Sequence, residues 1–185
     1  LIAAHLAGGF VTAIDGHLDR IVDNAGAVRP TFMAGVPRVF EKAHTRILST
    51  AEQRGRLSRM LFRRAFAVGR EVGRRRRAGE AVSFGLNLQH KIFDRIVFAR
   101  IRAIFGGRIR FFVSGSAPLN RDIAEWFHAA GMLILEGYGL TETAGGAFIN
   151  TPGNYRLGTV GHAFTGTDAR IGADGEVQIK GPNIM

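Results

Sequence analysis

The sequence predicts an α/β fold, part of a parallel-sheet α/β subdomain with a helical insert, followed by the start of an antiparallel β subdomain. Three observations predict it. Short apolar runs at 30–36, 109–113 and 132–135 alternate with longer stretches of helical periodicity, the order that builds βαβ units. Residues 109–142 form one such unit, whose crossover is expected to be right-handed and whose strands are expected to be parallel. After residue 157 the period changes from that of a helix to that of a strand. Residues 1–152 are therefore assigned to the α/β part and 153–185 to the β part. The boundary falls near 150–157, where Asn150, Pro152, Gly153 and Asn154 cluster.

Residues 1–28 read as helix with loops, and Leu18, Ile21 and Val22 have helical spacing around Asp19 and Arg20. The run 30–36 reads as a buried strand. Pro37 then suits a first helical turn, where a missing N–H costs nothing. That helix runs through Val39, Phe40, Ala43, Ile47 and Leu48. A basic helix follows, with Leu57, Met60, Leu61, Ala65, Val68 and Val72 at helical spacing. Gly79 to Gly85 reads as a loop. Residues 88–105 give a strong helix signal. Ile92, Phe93, Ile96, Val97, Ile101, Ile104 and Phe105 form one apolar stripe, with Lys91, Arg95 and Arg102 outside it. Gly106 and Gly107 end this helix. Asn120 can cap a helix over 121–130, packed through Ile123, Trp126 and Phe127 and stopped by Gly131. In the tail, 167–171 and 176–179 alternate about the turn Ala173-Asp174-Gly175, which predicts a hairpin.

An apolar fraction of 46% over 185 residues supports a packed core and argues against disorder. With no cysteine there is no disulfide and no thiolate metal site. That absence agrees with a cytoplasmic protein, as it does with many secreted ones. No apolar run reaches transmembrane length. The ends, Leu1-Ile2-Ala3-Ala4-His5 and Asn183-Ile184-Met185, read as cut from a longer chain. The net charge of +10 concentrates in Arg54, Arg56, Arg59, Arg63, Arg64, Arg70 and Arg74 to Arg77. A basic amphipathic helix has three readings: a solvated outer face, a patch for peripheral contact with an anionic membrane surface, or a nucleic-acid or other acidic partner. No zinc-finger or RNP-type signature accompanies the arginines, so nucleic acid is not expected.

The run Glu136-Gly137-Tyr138-Gly139-Leu140-Thr141-Glu142-Thr143 stands at the carboxyl end of a strand, where open α/β sheets place their ligands. It carries a ring to cover a base, hydroxyls for a phosphate oxygen and a carboxylate for Mg²⁺. The parallel βαβ geometry brings the loop 114–118 to the same sheet edge. Singly these features are weak. Tyr138 alone reads as a core aromatic, Glu142 as a surface carboxylate and 114–118 as a turn. Two such loops on adjacent strand ends, in this order, are far more specific. His5, His17, His44, His90, His128 and His162 show no metal-ligand spacing. Ser114 and Ser116 show no nucleophile-elbow pattern, which argues against a hydrolase. Arg38 either shapes a substrate wall or pairs with an acid on its helix.

Tyr-Gly-Leu-Thr-Glu-Thr at 138–143 resembles the signature of the adenylate-forming enzymes: acyl-CoA synthetases, luciferases and peptide-synthetase adenylation domains. Ser-Gly-Ser-Ala-Pro-Leu at 114–119 resembles that family's adenine-side loop. Gly158-Thr159-Val160-Gly161 and the stretch from Gly175 to Gly181 resemble its next two motifs. Val36-Pro37-Arg38-Val39-Phe40-Glu41-Lys42 is similar to the long-chain fatty acyl-CoA synthetase branch, as is a helical insert over about 45–105.

The resemblance implies a fatty acid–CoA ligase that uses ATP, Mg²⁺ and CoA and passes through an acyl-adenylate. It implies that Tyr138 stacks on adenine with Ala117 on the other side, and that Ser116 and Pro118 belong to the same turn. Thr141 is implied to meet the α-phosphate and Glu142 to hold Mg²⁺, the two being the catalytic pair. Glu136, Gly137, Gly139 and Leu140 are implied to line the nucleotide. The family's triphosphate loop is not found in this sequence, nor are its ribose-binding aspartate, its hinge and its C-terminal catalytic lysine. The rest of the polypeptide is therefore expected to be required, and this segment alone is expected to be inactive. An aryl or amino acid substrate, or a non-catalytic contact module built on the basic helix, are the alternatives.

Overall fold

A computed structural model of the chain describes residues 8–14, 17 and 20–185. The readings at His5, Leu18 and Asp19 lie outside the described residues. Strands β1 (Phe32–Gly35), β2 (Phe111–Ser114) and β3 (Ile134–Tyr138) run parallel and in chain order. Strands β4 (Phe148–Ile149) and β5 (His162–Ala163) extend the same sheet in antiparallel sense. Since β5 lies beyond residue 152, the sheet crosses the position expected for the division of the chain. Strands β6 (Asp168–Ile171) and β7 (Val177–Lys180) form the expected hairpin as a second, separate sheet.

Helices α1 (Ile21–Val28), α2 (Pro37–Gln53), α3 (Arg56–Arg77), α4 (Phe84–Phe93), α5 (Ala99–Ile104) and α6 (Arg121–Ala129) alternate with or follow the parallel strands along the chain. Pro37 opens α2 after the extended Val36. The Asn120 side chain accepts the Asp122 N–H at 2.8 Å and caps α6. The core is aromatic. Phe112 of β2 meets Phe40 of α2, Phe105 and Phe127 edge-on at ring separations of 5.2–5.9 Å, the geometry that ring quadrupoles favour. On the other side of α6, Trp126 stacks on Phe66 of α3 at 4.5 Å.

Three expectations are corrected by the structure. The single helix over 88–105 begins earlier, at Phe84, and is broken by a π turn at Asp94–Phe98 between α4 and α5. A π turn adds a residue to the repeat. Here it aligns Phe93, Phe98, Ile101 and Phe105 inward and leaves Ile92, Ile96 and Ile104 partly exposed. Arg102, expected outside the stripe, is instead a brace: it donates two hydrogen bonds to Asp94 at 2.7 and 3.0 Å and one to the Ala130 carbonyl. The stripe on α3 packs only in part. Ala65, Val68 and Val72 are buried together with Phe66, while Leu57 and Met60 are open to solvent. Gly69 explains how α3 approaches α6 so closely, since a Cβ there would lie 2.7 Å from the Ala129 carbonyl.

Candidate functional site

The register of the parallel strands sets Gly35, Ser114 and Glu136 side by side at the carboxyl edge of the sheet. The chain leaves β2 there through Gly115, whose N–H points to the Gly35 carbonyl at 3.4 Å. Ser116 follows with a left-handed φ of 70°, a conformation that costs a non-glycine residue free energy. Ser116, Ala117 and Pro118 are all exposed. Leu119 then turns inward and is buried.

Strand β3 runs further than the sequence suggested. Its residues Glu136, Gly137 and Tyr138 are strand rather than loop, because β4 supplies partners for Gly137 and Tyr138. Glu136 is buried, and its carboxylate accepts the Leu119 N–H at 3.3 Å and the Gly158 N–H at 3.2 Å. It thereby ties the end of the 114–119 loop to the Gly158–Gly161 motif. Charge-assisted hydrogen bonds of this kind are stronger than neutral ones. A second buried hub is Asn150, which sequence reasoning placed only in a boundary cluster. Its side chain donates to the Thr159 carbonyl and accepts the Arg156 N–H, while its backbone N–H bonds to the Glu136 carbonyl.

Tyr138 is half-buried, its ring 6.0 Å from that of its cross-strand partner Phe148. Gly139 passes so close to the next loop that a Cβ would overlap the Gly145 carbonyl. Its glycine is thus explained by the chain's own backbone. Thr141–Thr143 form one 3₁₀ turn. The Thr143 hydroxyl is buried, accepts the Leu140 N–H at 2.8 Å and donates to the Leu140 carbonyl. Ala144 closes the turn with φ 51°. From the far side, Asn183 donates to the Thr143 and Gly146 carbonyls, both at 3.2 Å, and the Met185 N–H donates to the Glu142 carbonyl. The backbone of this turn is fastened on two sides. The side chains of Thr141 and Glu142, by contrast, are exposed and engage no partner among the described residues.

The turn thus holds its backbone and leaves a free hydroxyl and a free carboxylate near the sheet edge shared with the 114–118 loop. No group of three or more His, Asp or Glu side chains converges among the described residues. A single carboxylate suits Mg²⁺ that shares its coordination with phosphate oxygens and water. The remaining candidates are structural. His44 stands edge-on to Trp126 at 4.8 Å, and burial lowers its pKa. His128 bonds Tyr155 through Nε2 at 2.8 Å and meets Arg77 at Nδ1. Burial, then the Arg77 charge, push its pKa down to about 4. Arg38 is exposed and pairs with no acid on its helix. A concavity of about 400 Å³ lies away from these loops, between α1, α2, α3 and the π turn.

The sequence profile described as "AMP-binding enzyme" matches residues 1–185. The chain belongs to the AMP-binding enzyme family. Among its relatives, the long-chain-fatty-acid–CoA ligase FadD15 of Mycobacterium bovis is 37% identical over 158 residues, 83% of this chain and 25% of that ligase. Long chain acyl-CoA synthetase 2 of Arabidopsis thaliana is 32% identical over 158 residues, 84% of this chain and 23% of that one. Among solved structures, ATP-bound MatB from Rhodopseudomonas palustris is similar with a TM-score of 0.50 and 26% identity, covering 95% of this chain and 26% of that one. The chain thus spans about a quarter of the length of these relatives. The two loops singled out in the sequence, 114–118 and the one that follows Tyr138, are the two that β2 and β3 bring to one edge.

Proposed function

We propose that this chain supplies the adenine, α-phosphate and Mg²⁺ side of the nucleotide site in a long-chain fatty acid–CoA ligase. The observation that carries this reading is the turn at Thr141–Thr143, whose backbone is fastened while Thr141 and Glu142 stay free beside the 114–118 loop. Identity to the FadD15 ligase supports the substrate class, and the ATP-bound state of the MatB relative supports the nucleotide. In the reaction, a fatty acid carboxylate oxygen attacks the α-phosphorus of ATP and pyrophosphate leaves. The CoA thiolate then attacks the acyl carbon, forming the thioester and releasing AMP.

Each residue has a part. The Tyr138 ring covers one face of adenine and Ala117 the other, with Ser116 and Pro118 shaping the turn around it. The Thr141 hydroxyl donates to an α-phosphate oxygen. Glu142 holds Mg²⁺, which offsets the negative charge of the phosphates. Gly137, Gly139 and Leu140 set the backbone path along the nucleotide, and Glu136 acts by fixing both loops. The rest of the polypeptide provides the triphosphate loop, the CoA site and the second catalytic half, so the segment alone turns over nothing.

The test is AMP release by the complete polypeptide with ATP, Mg²⁺, CoA and fatty acids of graded length. Release that needs CoA and peaks at long chains is expected. Glu142→Ala should lower turnover by about 10²–10³-fold, the usual cost of removing a group that stabilises transition-state charge. Unchanged turnover in that variant would remove Glu142 from the site, and a preference for aryl or amino acids would reassign the substrate.

A further inference from the structure

The outward face of the first half of α3 carries Arg56, Arg59, Met60, Arg63 and Arg64, which together line a shallow open depression. None of these arginines forms an ion pair or hydrogen bond among the described residues. The nearest acids in sequence are Glu52 and Glu71, and Glu71 is already engaged by Arg74 and Arg75. Between the arginines, Leu57 is 74% and Met60 63% exposed. Two large apolar side chains this open, within one helical turn of each other, gain nothing from water. Beside them runs the concavity of about 400 Å³, with Ile47, Leu61, Phe62, Val97 and Ile101 among its walls. Arg46, Arg54 and Arg100 stand on its rim, and the one acid there, Asp23, is paired with Arg46 at 2.9 Å.

We propose that this half of α3 docks on a membrane surface rich in anionic phospholipid. Its arginines meet the lipid phosphates, and Leu57 and Met60 enter the boundary between head groups and acyl chains. Charge complementarity selects the occupant: four arginines with one free acid nearby in sequence, Glu52, leave a net cationic face that gains from a surface carrying net negative charge. The apolar pair distinguishes a bilayer from a purely ionic partner, because only an interface with an acyl layer buries it. Nucleic acid is disfavoured because the patch presents no ring for base stacking. Phe62, the aromatic nearest to it on α3, packs inward on Phe66 and Trp126. At the other end of α3, Arg74 and Arg75 are neutralised by Glu71 and Glu80, and Arg77 is held against His128. This docking surface is separate from the nucleotide loops.

The test is co-sedimentation of the complete polypeptide with vesicles of phosphatidylcholine alone or mixed with phosphatidylglycerol, without nucleotide. Binding to the mixed vesicles only, weakening with salt, is expected. The triple change Arg56→Glu, Arg59→Glu and Arg63→Glu should lower it by about a hundredfold or more, given the worth of each basic residue at such a surface. The double change Leu57→Ser and Met60→Ser should lower it about tenfold or more, since each side chain loses its acyl contacts. The same charge change placed at Arg108, Arg110 and Arg170 should leave binding intact. Far-UV circular dichroism checks that each variant is folded; all substituted side chains are exposed. Equal binding to neutral vesicles, or binding that survives the triple change, overturns the proposal. So does loss with the charge change but none with the apolar change, which would point to an acidic protein or nucleic acid. Because the readout is sedimentation, failure here leaves the nucleotide-site reading untouched, and failure of that reading leaves this one standing.

Discussion

In the first half of α3, Leu57 and Met60 face water and Arg56, Arg59, Arg63 and Arg64 have no partners. Further along the helix, Phe66 lies flat on Trp126, Gly69 and Gly73 let α6 approach, and Arg74 and Arg75 share Glu71. Both halves are arginine-rich and both have apolar residues at helical spacing. They differ in what stands opposite. Helix α6 meets α3 from Phe62 onward and not before it, so equal periodicity yields a packed face in one place and an open one in the other. Amphipathicity marks a face that can be buried; the neighbour decides whether it is.

Three changes bear on this contrast, beginning with the pair that differs most. Phe66→Ala should destabilise the complete polypeptide by about 3–5 kcal/mol, the usual cost of a large cavity in an aromatic core. Met60→Ala, on the open half, should stay within about 0.5 kcal/mol. Urea unfolding of the two variants measures both, and similar midpoints would erase the contrast. Gly69→Ala comes next. Alanine is intrinsically the better helix former, yet its Cβ would press on the Ala129 carbonyl and on the Phe98 ring at 2.9 Å. A net loss of about 1–3 kcal/mol is expected from this overpacking. A gain in stability would show that α3 and α6 can separate freely.

A pH-dependent effect concerns His128, which links the packed part of α3 to the segment before the Gly158 motif through Arg77 and Tyr155. Its pKa falls to about 4 in the folded chain, chiefly through burial, from an ordinary value of 6.5. The unfolded chain therefore takes up the proton first. The stabilising contribution is complete above about pH 6.5, declines as the pH falls toward 4, and declines no further below that. His128→Gln should flatten this part of the stability–pH curve. A slope equal to that of the unmodified protein would assign it to other groups.

Much of the architecture was legible locally. Pro37 and Asn120 mark helix starts by their own backbone and side-chain chemistry, and Asp174-Gly175 marks a hairpin. The order of apolar runs foretold that the loops after β2 and β3 share an edge. What was not legible depends on residues distant in sequence. The local sequence of Glu136 does not show that its carboxylate accepts the Leu119 and Gly158 N–H groups. Gly139 also has to be glycine for a reason its local sequence does not show, since a Cβ there would overlap the Gly145 carbonyl. Asn150 looks like a boundary residue, and only the fold makes it a hub. The π turn leaves no local mark either, because it answers to the packing of Phe93 and Phe98 rather than to propensity.

By itself the sequence determined the α/β class, the chain order of the strands, the positions of the two signature loops and the family they resemble. These follow from periodicity, turn chemistry and short motifs, all of which act over a few residues. The tertiary structure alone decided that Glu136 and Thr143 brace while Thr141 and Glu142 stay free, and that one half of α3 is covered while the other is open. Those outcomes depend on which donor or which helix arrives from elsewhere in the chain, and burial and hydrogen bonding are properties of the assembled neighbours.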